Sequence, residues 1–156
     1  MPHMVNALAA YGLEPAATPR LFEFAERVFA ACAAQVLIST WERPPRDDDE
    51  PGAFTTVETD LADLAARLAA GSADSFQLMS ELGFHERDLC YVGVTRPPHA
   101  PLARLCVIWP QGDAARDAAV LGLAREVLPA CGVRYGYGFV AEDAFDALDY
   151  ALGSCM

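Results

Sequence analysis

Residues 88–109 read Asp88-Leu89-Cys90-Tyr91-Val92-Gly93-Val94-Thr95, then Arg96-Pro97-Pro98-His99-Ala100-Pro101-Leu102, then Ala103-Arg104-Leu105-Cys106-Val107-Ile108-Trp109. Two runs rich in β-formers flank a corner whose prolines favour a stiff extended connection over a two-residue hairpin turn. Leu105 to Trp109 is unbroken apolar sequence, the mark of a central strand buried on both faces. Ser75 to Glu81 is a further strand candidate just upstream, so three strands follow one another with no helix between them. A doubly wound parallel sheet requires strand and helix to alternate. The fold class is therefore α+β, a mainly antiparallel sheet with helices packed on one face in a two-layer sandwich.

Outward from this block the elements alternate. Toward the N-terminus, Gln35 to Glu42 and Ala53 to Glu58 read as strands, the first ending at Pro44-Pro45. Between them and the central block, Leu61, Leu64, Ala65 and Leu68 repeat as one helical stripe, with Thr59 as cap, Asp60 and Asp63 in the first turn and Gly71 just beyond the end. A core helix precedes, with Thr18 as cap, Pro19 at its first position and Leu21, Phe24, Ala25, Val28, Ala31 and Cys32 facing inward. Val5 to Tyr11 reads as a short helix. On the other side, Gly112-Asp113 opens a helix running to Pro129, and Tyr135-Gly136-Tyr137-Gly138-Phe139 is a strand with rings on one face and bare backbone on the other. Asp143 caps a final helix, Ala144 to Leu152.

A hairpin centred on Pro98 would set Cys90 opposite Cys106. A shift of one residue would set Cys90, Val92 and Val94 against Val107, Leu105 and Ala103, which matches the apolar pattern better.

The 156 residues suit one domain over 1–156, with 1–18 expected to be loosely ordered. There are 22 acidic residues against 11 positive ones, all arginine, for a net charge of −11. Such a surface repels polyphosphates and anionic lipid, so nucleic acid and membrane are excluded as partners; a basic protein is attracted. Eight of the acids and only two arginines fall between Glu42 and Asp63. No basic stretch leads an apolar run, as in a secretory signal, and the five cysteines are an odd number without Cys-x-x-Cys spacing. The expected compartment is the cytoplasm, with thiols reduced and neither metal nor cofactor.

Two surfaces are candidates for function. The first joins acidic and aromatic residues, Trp41, Glu42, Asp47, Asp48, Asp49 and Glu50 with Tyr135 and Tyr137: carboxylates steer a cationic partner and rings supply buried anchors. The second is a pocket built on His85, Glu86 and Asp88, a base and two carboxylates beside a strand, with a cysteine as nucleophile. The Gly-x-Gly of 136–138 lacks the third glycine and the acid of a dinucleotide site.

In size, acidity and lack of a catalytic motif the chain resembles bacterial immunity proteins, which neutralise a cognate toxin, with Trp41-Glu42 and the Tyr-Gly-Tyr-Gly-Phe strand as the residues to compare. The resemblance implies a non-enzymatic interaction protein binding a basic toxin. The alternatives are a small enzyme or small-molecule-binding domain using His85, and a structural subunit assembling as a homodimer.

Overall fold

The computed structural model describes residues 4–44, 46–51, 55–80, 89–96, 102–142, 147 and 151. Among them are seven strands, β1 (Val5–Leu13), β2 (Ile38–Glu42), β3 (Thr56–Glu58), β4 (Phe76–Met79), β5 (Tyr91–Thr95), β6 (Ala103–Pro110) and β7 (Tyr135–Ala141). They form one sheet in the order β3-β2-β4-β5-β6-β1-β7, with every neighbouring pair antiparallel. Three helices, α1 (Thr18–Ala31), α2 (Leu61–Ala70) and α3 (Ala114–Val127), cover one face of it, giving the α+β sandwich expected.

Strand alternation sorts the side chains into two clusters. Toward the helices point Phe76, Leu78, Val92, Val94, Leu105, Val107 and Trp109, packed against Leu21, Phe24 and Val28 of α1, Leu64 and Leu68 of α2, and Val120 and Ala124 of α3. Each such apolar side chain contributes roughly 1.5–3 kcal/mol when fully buried. The opposite face carries a smaller cluster of Val5, Ala7, Ala9, Tyr91, Cys106 and Ile108, into which Ala147 and Ala151, both helical, are buried. Leu105 to Trp109 is thus buried on both sides, as its composition requires.

The N-terminal stretch corrects the expectation of a short helix over Val5 to Tyr11. Val5–Leu13 is paired along its length with β6 on one side and β7 on the other. Its alanines favour a helix locally. In the sheet, though, Ala7, Ala9 and Ala10 are 1% exposed or less, and their small side chains let other elements approach both faces. Near its end, Gly12 adopts φ 86° at a register shift, and a Cβ there would lie 2.6 Å from the Arg134 side chain.

The helix boundaries follow local chemistry. α1 continues a 3-10 turn at Pro15–Ala17, so Thr18 is its first residue rather than its cap, and its hydroxyl donates to the Pro15 carbonyl at 2.8 Å. The cap of α2 is Asp60, which accepts from the Asp63 amide at 2.7 Å; Thr59 instead donates its hydroxyl to the Asp63 carboxylate at 2.5 Å. Gly71 closes α2 in the left-handed region, φ 75°. Asp113 caps α3, and Asp117 in its first turn accepts from Trp109 Nε1 at 2.8 Å and Asn6 Nδ2 at 3.0 Å, pinning the helix to β6 and β1.

Between β5 and β6 the register is neither of the two expected. Val92 faces Val107 and Gly93 faces Cys106, two residues beyond the better of those alignments. Cys90 and Cys106 consequently lie on opposite faces of the sheet, one in each cluster.

Candidate functional site

The acidic residues gather at the β3 edge of the sheet. Trp41 and Glu42 are adjacent on β2, so their side chains point to opposite faces. Trp41 lies on the helix face, 9% exposed, with the Arg67 guanidinium of α2 stacked 4.8 Å above its ring. Trp41, expected as an exposed ring, is thus part of the helix-side core. The Glu42 carboxylate accepts hydrogen bonds from the hydroxyls of Thr55, at 2.5 Å, and Thr56, tying β2 to the strand beside it.

Beyond Glu42 the chain makes a turn organised by one carboxylate. Asp49 accepts from Arg43 Nη1 and Nη2, both at 2.8 Å, and from the Arg46 amide at 2.7 Å. The Arg43 guanidinium, with help from that amide, holds the Asp49 carboxyl down at about 2. Asp49 is therefore spent inside the turn. Asp47, Asp48 and Glu50 are exposed around it. Across the edge stand Glu58, exposed at the end of β3, and Asp60. Asp63 is held low by the Thr59 hydroxyl and Arg67.

The aromatic strand is at the far edge. Six interstrand steps separate β3 from β7, about 29 Å at the usual spacing of about 4.8 Å. The acidic and aromatic residues expected to act together are not one patch. Nor is the aromatic face uniform. Tyr137 and Phe139, half-buried and 5.6 Å apart between ring centroids, pack against the cluster that contains Ala147 and Ala151. Tyr135 is 62% exposed and stacks on Tyr11 at 4.7 Å. Tyr11 donates its hydroxyl to the Ala151 carbonyl at 2.5 Å and lies 3.1 Å from the Tyr137 hydroxyl, with burial foremost in raising its own pKa. The glycine side of β7 faces a shallow apolar groove of about 240 Å³ between β1 and the end of α3, walled by Leu8, Leu121, Ala124 and Leu128.

His85, Glu86 and Asp88, the expected pocket residues, lie outside the described residues. Among the described residues a cavity of about 470 Å³ is lined by Cys32, Gln35, Ser80, Cys90, Pro110 and Arg116. Cys32 caps the C-terminal end of α1 and Cys90 immediately precedes β5, so the pair is joined by tertiary structure alone. Spacing offered no signal for it. The neighbouring Cys90 thiol foremost, and the Arg116 charge after it, pull the Cys32 pKa down against the cost of burial. The same contact, together with burial, pushes Cys90 up. Burial alone raises Cys106, to about 12, and is the main cause raising Cys131.

Among the described residues no three His, Cys, Asp or Glu side chains gather as a metal site, and no helix is long and apolar enough to cross a membrane. No family model matches the chain. No curated protein matches its sequence. Among solved structures it is similar to the adenosylmethionine decarboxylase from Aquifex aeolicus, with a TM-score of 0.45, 12% identity and 90% of each chain covered. A likeness at that level bears on neither chemistry nor partner.

Proposed function

We propose that this chain is a non-enzymatic, cytoplasmic binding protein whose acidic sheet edge docks a basic protein partner, as bacterial immunity proteins dock a toxin. The observation that carries this reading is the turn clamped by Arg43 and Asp49, with Asp47, Asp48 and Glu50 exposed upon it. A flexible acidic loop must be ordered when it binds, at a cost in entropy; a turn already closed by three hydrogen bonds to one carboxylate avoids much of that. The excess of negative charge draws a cationic partner in, and β3, the edge strand among the described residues, offers backbone groups for it to meet. Tyr135, a sheet's width away, stands outside this docking surface.

The test is capture from lysate of the organism that carries the gene, at low and high salt. The wild-type chain is compared with a variant carrying Asp47→Arg, Asp48→Arg and Glu50→Arg. The expected result is a basic protein retained at low salt by the wild type and lost by the variant. Equal retention by the two chains, or capture of nothing but the chain itself, contradicts the proposal.

A further inference from the structure

The cavity between the end of α1 and the start of β5 does not belong to the acidic edge, and its chemistry is of another kind. Cys32 is half-buried at its rim and Cys90 fully buried at its wall. Ala33, next in the chain, adopts φ 50°, and its amide and that of Ala34 bond back to Ala30 and Phe29, at 3.1 and 2.9 Å. That left-handed turn ends the helix and fixes where Cys32 points. Cys90 is held equally firmly. Its amide donates to the Ser80 hydroxyl at 2.8 Å, and its carbonyl accepts from the Ser80 amide at 3.0 Å. Arg116 donates through Nη2 to the Pro110 carbonyl at 2.8 Å, while its Nε is buried without a hydrogen-bond partner among the described residues.

From these positions we infer that Cys32 and Cys90 form a reactive dithiol that takes a small hydroperoxide in this cavity and closes into a disulfide. The Cys32 thiolate attacks the outer peroxide oxygen. An S–O bond forms, the O–O bond breaks, and the alkoxide or hydroxide leaves with a proton as alcohol or water. Cys90 then attacks the Cys32 sulfenic sulfur. The S–S bond forms as the S–O bond breaks, and the displaced hydroxide takes the Cys90 proton as water. Two thiols are oxidised by two electrons and one peroxide is reduced. The guanidinium of Arg116 stabilises the thiolate at the start and the departing oxyanion in the first step. Cys106 and Cys131 do not share this cavity, and burial works against ionisation of both.

The test treats the folded full-length chain with one equivalent of hydrogen peroxide, alkylates the remaining thiols and maps linked peptides by mass spectrometry. The expected product is a Cys32–Cys90 linkage lighter by two hydrogens, formed about tenfold faster than oxidation at Cys131. In a Cys90→Ser variant, Cys32 is expected to persist as a sulfenic acid that dimedone traps. In denaturant, the selectivity for Cys32 is expected to vanish. Oxidation of Cys32 no faster than Cys131, a disulfide from Cys32 to Cys155 instead, or conversion of Cys32 to sulfinic acid with Cys90 still free would each overturn the inference. None of these readouts depends on a protein partner, so the binding proposal stands or falls separately.

Discussion

Arg43 and Asp49, six residues apart, meet through two parallel hydrogen bonds of 2.8 Å and close the acidic turn from within. A guanidinium and a carboxylate paired in this way fix orientation as well as distance. One charge of the acidic run is thereby turned inward as scaffold, leaving its neighbours outside to act on a partner.

The clamp has a pH signature. Its carboxyl is depressed in the folded chain to about 2, against about 4 for a free aspartate. A depressed acid contributes order that is complete above the unfolded value and is lost as pH falls through the folded one. The Arg46 amide signal in NMR is therefore expected to titrate with a midpoint near 2, and to lose that transition in Asp49→Asn. A midpoint near about 4 would mean that Arg43 does not hold Asp49 in solution.

At the other edge of the sheet, Tyr11→Phe removes the donor to the Ala151 carbonyl while keeping the ring stack on Tyr135. Stability is expected to fall by about 1 kcal/mol, read by urea denaturation. Amide exchange near residue 151 should quicken, because that hydrogen bond ties the segment to β1. Unchanged exchange there would show that apolar burial alone holds it.

In the centre of the sheet, Gly93 lies on the same face as Tyr91, and a Cβ at Gly93 would collide with the Tyr91 hydroxyl. Tyr91 is fully buried and its ring has little room to retreat. Gly93→Ala is expected to cost about 1–3 kcal/mol. A neutral substitution would mean that Tyr91 can swing aside.

Tyr135→Ala separates the two edges. Losing an exposed ring stacked on Tyr11 should cost stability no more than about 0.5–1.5 kcal/mol and should leave partner affinity unchanged. Loss of binding in this variant would move the docking surface to β7.

Most of the fold is legible in the chain because its elements carry local signals. Asp113 and Gly71 bound helices, and Leu105 to Trp109 can only be a buried strand. What misleads is composition without context. Val5 to Leu13 is rich in alanine, whose helical preference is weak beside the pairing of seven residues, Val5 to Tyr11, to strands on both sides. The β5–β6 register escapes because apolar residues on both faces of buried strands accept several alignments. Trp41 illustrates the limit for function: beside acidic residues it reads as a surface anchor, yet the strand turns it toward α2. Cys32 and Cys90 come to line one cavity only once α1 lies across the sheet, and no spacing rule foretells that.

The most direct measurement is the association rate of the captured basic partner, purified, with the wild-type chain and with the Asp47→Arg, Asp48→Arg, Glu50→Arg variant across a range of ionic strength. The wild-type rate should fall steeply as salt rises, while the variant should start about ten- to a hundredfold slower and lose that steep decline with salt. Equal rates at low salt would contradict docking at the acidic edge.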